Sequence, residues 1–121
     1  LTPRPSRGIM SADDMTIREF DGSDRDYRIR CDIGNAVFPD YAETVDELRH
    51  EDATRDPRIR TRRWIAEVDG APVGTGLYTQ SVETYHPRRF VVDALVLEPF
   101  RGRGIGRALH DTAVAALEPF D

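Results

Sequence analysis

The spacing of apolar residues changes several times along the chain, and each change marks an element. "MTIREF" (15–20) alternates Met15 and Ile17 with polar neighbours and then adds Phe20, which predicts a short strand. "DGSD" then offers Asp21 or Ser23 as a cap, with Asp26 three residues after Ser23. Tyr27, Ile29/Arg30, Ile33/Gly34 and Val37 recur at 3–4 spacing, so a helix is expected over about 24–37, stopped by Pro39. "TVDELRHEDATRD" (44–56) reads as a second, highly charged surface helix. Thr44 and Glu47 form its capping box and Pro57 marks its end.

"WIAEVDGAPVGTGLYTQSV" predicts a hairpin. Trp64, Ala66 and Val68 alternate, Asp69-Gly70 turns, and the return strand runs from Val73 to about Val82. Gly74 and Gly76 interrupt that strand, weakening it or marking a bulge. "ETYHPRR" is a polar loop. "FVVDALVL" (90–97) is apolar on both faces, the pattern of a central strand covered on each side. Ile105, Ala108/Leu109, Thr112/Ala113 and Ala116/Leu117 form a last helical stripe, closed by Pro119. The predicted order is β-α-α-β-β-β-α, a mixed α/β domain.

Length and composition narrow the class. A chain of 121 residues fits one domain, with residues 1–12 expected to be a disordered leader and 13–121 the domain. No apolar run approaches the roughly 18 residues of a membrane span, and the start has no apolar stretch of a secretory signal. A net charge of −5 argues against general binding to nucleic acid or to a membrane surface. A single cysteine, Cys31, excludes a disulfide framework and a cysteine-based metal site; it points to a cytoplasmic protein and to a buried, apolar role for the thiol. His50 and His110 have no partners at metal-ligand spacing, so no metal is expected. All 17 basic residues are arginine, which rules out a Schiff-base lysine and a Walker lysine.

The distinctive stretch is "EPFRGRGIGRALHD" (98–111), which places arginines and glycines between a buried strand and a helix. A dinucleotide fingerprint fails, because the sixth position from Gly102 is Arg107 and from Gly104 is Leu109. An RNA-binding RGG segment would repeat, and this cluster occurs once. Two readings survive. One is R-x-x-G-x-G at Arg101, Gly104 and Gly106, with bare backbone and the free amides of a first helical turn presented to phosphate oxygens, and Arg103 and Arg107 adding charge. The other is a glycine-rich turn that binds nothing.

"VLEPFRGRGIGRAL" resembles the acyl-CoA-binding motif of the GNAT superfamily of N-acetyltransferases, and "WIAEVDGAPVGTG" resembles its central hairpin. The element order matches the family's first seven elements over about residues 14–118. The resemblance implies an acetyl-CoA-dependent transfer to an amine, on a small molecule or a protein. It implies that backbone amides of Arg101, Gly102, Arg103, Gly104, Ile105, Gly106 and Arg107 hold the pyrophosphate of acetyl-CoA. Backbone groups of Leu95, Val96 and Leu97 would pair with the pantetheine arm. Pro99 stands one place later after Val96 than the family's usual pattern, but the Val96-to-Arg101 spacing is intact. Family members continue past this helix with further strands and often a tyrosine that protonates the departing thiolate. The chain is therefore expected to be incomplete at its C-terminus, and the alternative to an enzyme is a non-catalytic acyl-CoA-binding module or a degenerate half of a tandem protein. A homodimer or larger assembly is also expected, with its contact near residues 90–97 or the helix 104–118.

Transfer to an amine needs a base. Asp93 is the one charged residue of "FVVDALVL", beside the expected thioester, where burial would raise its pKa. A structural carboxylate bonded to a neighbouring strand is the alternative. Glu83, with Tyr85 and His86, lies in the preceding loop and is a second candidate, against an ordinary solvated role. Tyr78 and Trp64 are expected in the core.

Overall fold

The computed structural model describes residues 15–81, 83 and 85–120. The expected leader at 1–12 lies outside them. Four strands and three α-helices follow in the predicted order: β1 (Met15–Glu19), α1 (Asp24–Val37), α2 (Val45–Thr54), β2 (Arg62–Val68), β3 (Ala71–Thr79), β4 (Val91–Val96) and α3 (Ile105–Ala115). Short 3₁₀ turns at Pro39–Tyr41, Glu98–Phe100 and Glu118–Phe120 join or end the longer elements.

Local chemistry explains the boundaries. Ser23 caps α1, its hydroxyl accepting from the amide of Asp26 at 3.2 Å. Thr44 and Glu47 close a full capping box at α2, with reciprocal bonds of 3.1 and 2.8 Å. Asp69 and Gly70 both take positive φ (52° and 81°), the mirror-image geometry that matches a two-residue hairpin to the twist of its strands.

The sheet is antiparallel throughout, in the order β1-β2-β3-β4. β4 is therefore an edge strand among the described residues, where its two apolar faces had suggested a strand covered on each side. Its burial falls off toward its start: Val96 is buried and Val91 is 52% exposed.

The two faces of the sheet differ in chemistry. On one, Trp64, Ala66, Val73, Tyr78 and Val96 pack against Ile105, Leu109 and Ala113 of α3. The glycines of β3 owe their place to this contact. A β-carbon on Gly74 would meet Leu109 Cδ1 at 3.1 Å and the Leu95 carbonyl at 2.9 Å. The expected bulge is there too, as a register shift opposite Ala66/Glu67 that leaves Val73 between paired neighbours.

By strand alternation the opposite face carries Arg18, Arg63 and Glu67, and these reach α1 and α2. Arg18 donates to both oxygens of Asp26 at 2.8 and 2.7 Å. Arg63 donates to both oxygens of Asp52 at 2.7 and 2.9 Å, and the Tyr27 hydroxyl donates to the same carboxylate at 2.7 Å. Burial pushes the Asp52 carboxyl up, but the hydrogen bonds from Arg63, Tyr27 and Arg55 outweigh it and hold it well below the usual carboxylate range. Helices and sheet are thus joined on this side by ion pairs around a small apolar cluster of Tyr27, Cys31 and Leu48.

Candidate functional site

Two features meet along the free edge of β4: a glycine turn at one end and a cavity against α1 along its side.

The turn is built by backbone conformation. Gly102 and Gly104 have φ of 77° and 86°, a region that costs any side-chain-bearing residue. Space beside both is open, since a β-carbon at either would meet nothing within 4 Å. Gly104 is the N-cap of α3 and supplies no side-chain cap. Its carbonyl accepts from Ala108 at 3.0 Å, which starts the helix. Among the described residues the amides of 102–107 find no acceptor, so six consecutive residues present bare N–H groups at a positive helix end. Gly106 differs from the other two: a β-carbon there would touch Val96 Cγ2 at an ordinary 3.6 Å.

The arginines of the turn divide their roles. Arg101 reaches back and donates through Nε to the Val96 carbonyl at 2.9 Å, which ties the turn to the end of β4. Arg103 lies over the Phe100 ring at 5.7 Å. Arg107 is exposed on the first turn of α3.

Strand register decides which backbone groups of β4 look outward. Leu97 donates to the Val73 carbonyl at 2.9 Å, so its amide is turned toward β3. Alternation then turns the groups of Leu95 inward and those of Ala94 and Val96 toward the open edge. Of the three residues expected to face a ligand arm, Val96 presents its main chain at this edge. Ala94, absent from the sequence expectation, does the same. The Ala94 amide is covered by Asp93, whose Oδ1 accepts from it at 2.9 Å.

A cavity of about 180 Å³ lies between α1, the 39–41 turn and β4, with Arg30, Phe38, Tyr41, Glu43, Asp93 and Leu95 in its wall. Asp93 stands in this cavity, but it is exposed where burial had been expected. Glu83 is exposed in the β3–β4 loop and is not part of the wall. His86 holds that loop together. Its Nδ1 accepts from the Arg88 amide at 3.1 Å, and its carbonyl accepts from the Gln80 side chain at the same distance. Tyr85 lies under the Arg58 guanidinium at 5.0 Å. A larger, open groove between α1 and α2, flanked by Arg28, Asp32, Asp46 and Arg49, lies on the far side of Cys31, Asn35 and Glu43, which it shares with this cavity.

Two wall residues escaped the sequence reading, Arg30 and Glu43. Glu43 is fixed through its main chain, where Asn35 donates to its carbonyl at 2.9 Å and accepts from its amide at 2.8 Å. Burial, reinforced by Glu51, raises the Glu43 carboxyl above its ordinary value. No local signal could have found either one, because both enter the site only when α1 folds across β4.

Comparison with known proteins bears on this geometry. The family model "Acetyltransferase (GNAT) family" matches residues 24–120. A search of curated protein sequences finds no match. Among solved structures, a GNAT family acetyltransferase from Brucella melitensis in complex with acetyl-CoA is 24% identical with a TM-score of 0.63, covering 87% of this chain and 69% of that one. The ribosomal-protein-S18-alanine N-acetyltransferase from Escherichia coli is 13% identical with a TM-score of 0.61, covering 87% of this chain. The tandem GNAT protein from the clavulanic acid biosynthesis pathway is 19% identical with a TM-score of 0.70, covering 88% of this chain. The chain spans 60% of the Escherichia coli protein and 34% of the tandem protein. At these identities the likeness establishes the fold.

Proposed function

The chain belongs to the GNAT family of acetyltransferases, and we propose that it transfers an acetyl group from acetyl-CoA to an amine. The observation that carries this reading is the turn after β4, with two glycines at positive φ, open space beside them and six amides without acceptors. Such a turn suits a pyrophosphate, whose charge the helix end and the bare N–H groups favour together. The donor supplies the activated acyl thioester.

The chain's own residues divide the remaining work. Of the outward main chain, the Ala94 carbonyl and the Val96 amide are left to bond an extended arm lying along the edge, as another strand would, since Asp93 and Arg101 take the Ala94 amide and the Val96 carbonyl. Asp93 and Glu43 stand in the cavity beside that edge, and either can take the proton that an ammonium must lose before it attacks. Asp93 has the nearer place, next to the Ala94 amide. The same reading puts the protein in the cytoplasm. Among the described residues no helix is long and apolar enough to cross a membrane.

Calorimetric titration with CoA tests the donor site. Gly104→Asp adds a side chain at positive φ and a negative charge at the helix end, and it is expected to weaken CoA binding by about tenfold or more. Equal affinity in a folded variant would remove the turn from the site. A thiol-release assay of the full-length protein against a panel of amines then separates an enzyme from a domain that only binds CoA.

A further inference from the structure

On the α1/α2 side of the sheet the half-buried arginines Arg18, Arg55 and Arg63 are held in ion pairs. Arg18 has Asp26 and Glu67, and Arg55 and Arg63 share Asp52. Arg30 breaks the pattern. It is half-buried, it makes no ion pair within 4.0 Å among the described residues, and its Nε is enclosed without a hydrogen-bond partner. Burial, with Arg63 nearby, pulls its pKa down, which is the signature of a desolvated cation short of negative charge. A buried charge of this kind is costly unless an anion completes it.

Arg30 lies in the wall of the cavity beside β4, and the other charges there are arranged around it. Glu43 and Asp93 are near enough to stabilise its charge through space, yet neither bonds to it. The cavity is therefore dipolar, with one cation on α1 and two carboxylates on separate walls. Exposed aromatic rings stand at the same place, Phe38 at 49% and Tyr41 at 80%. Gly34 leaves room for the guanidinium, since a β-carbon there would come within 2.8 Å of Arg30 Nη1. A volume of about 180 Å³ is below the roughly 300–1,000 Å³ of pockets for drug-sized ligands, so the occupant is small.

We infer that the acceptor is a small amino-acid-like zwitterion, whose carboxylate pairs with Arg30 while its amine lies toward Asp93 and Glu43. The inference rests on the acetyltransferase reading for the word acceptor alone, because the anion site is a property of the cavity. Planar guanidinium suits a planar carboxylate with two parallel hydrogen bonds. The two wall carboxylates attract the ammonium form and then have a place to receive its proton. An amine without a carboxylate would leave Arg30 unsatisfied beneath it.

The test is direct binding to the folded chain without CoA. Each common L-α-amino acid is titrated by calorimetry, and every binder is compared with its α-amide and with the corresponding decarboxylated amine. At least one amino acid is expected to bind, with both uncharged-end analogues weaker by about tenfold or more. Arg30→Gln is expected to erase that difference, and Arg30→Lys to keep part of it. Gly34→Ala retains the charge but displaces the guanidinium, so it serves as the second variant should Arg30→Gln fail to fold. Absence of any amino-acid binder, or equal affinity for a binder and its decarboxylated amine, overturns the inference. CoA affinity is measured on the same sample. CoA binding without carboxylate preference sinks the acceptor inference and spares the donor reading; carboxylate-dependent binding without CoA binding upholds the Arg30 site and sinks the donor reading.

Discussion

Leu109 of α3 lies directly over Gly76 of β3: a β-carbon on Gly76 would approach Leu109 Cβ to 3.1 Å and Cδ2 to 3.3 Å. Leu109 is fully buried, so it has little freedom to retreat. Gly76→Ala is expected to lower stability by about 1–3 kcal/mol through overpacking, and Leu109→Ala by about 2–5 kcal/mol through the cavity it leaves. Combined, the two changes should cost somewhat less than their sum, because Leu109→Ala removes the Cδ2 contact with the new methyl while the nearer Cβ stays in place. Urea denaturation of the four proteins at a common m-value measures this coupling. Strict additivity would contradict the close approach.

Asp93 and Glu43 make different predictions as the base. In the acetyl-transfer assay, loss of the base is expected to reduce kcat by about 10²–10⁴ while CoA affinity holds. Asp93→Asn is the expected position of that loss. Glu43→Gln is expected to act more weakly, mainly by changing KM for the amine. Full activity in Asp93→Asn alongside a large kcat loss in Glu43→Gln would transfer the role to Glu43, whose carboxyl is already raised by burial.

Acid stability offers an independent check on the ion-paired face. Hydrogen bonds from Arg18, opposed by burial, hold the Asp26 carboxyl down at about 2, against an ordinary 3.8. A depressed folded value means stability that is fully present above pH about 4 and is lost as pH falls toward 2. The loss is expected to be about 1–2 kcal/mol after allowing for solvent around the partly exposed Arg18. Asp26→Asn should start less stable at neutral pH and show a flatter stability profile over that window. Chemical denaturation at pH steps distinguishes the two; parallel profiles would mean that the pair does not report on folding.

The outer edge of β4 predicts association. Its groups at Ala94 and Val96 face outward and Val91 is half-exposed, the arrangement that recruits another strand. Expressed as residues 1–121, the chain is expected to form a homodimer along this edge. Val91→Lys should shift it toward monomer in sedimentation velocity, with the fold retained by circular dichroism. A well-folded wild type that stays monomeric at all concentrations tested would count against the edge as an interface.

Much of this protein is local in origin, and the sequence determined it alone. Element order follows from changes in apolar period. Ser23, the Thr44–Glu47 box, Asp69-Gly70 and the prolines set their boundaries through bonds spanning only a few residues. The turn at 101–107 was equally legible, since Gly102 and Gly104 carry their positive φ as a property of glycine itself.

Tertiary structure decided what depends on residues far apart. Gly74 and Gly76 read as weak points in a strand until α3 packed on them, because the reason for a missing side chain is the atom that takes its place. Register, fixed by pairing with β3, turned Leu97 inward and left Ala94 and Val96 at the edge. The burial expected for Asp93 was inferred from apolar neighbours in the chain; its exposure follows from standing on an edge strand, where the next layer of atoms sets solvation. Arg30 looked like one more charge on a helix rich in them. It becomes a candidate anion site only when the fold gives Arg18, Arg55 and Arg63 their carboxylates and brings α1 across β4 with Arg30 left unpaired among the described residues, a distribution of charge that no local spacing encodes.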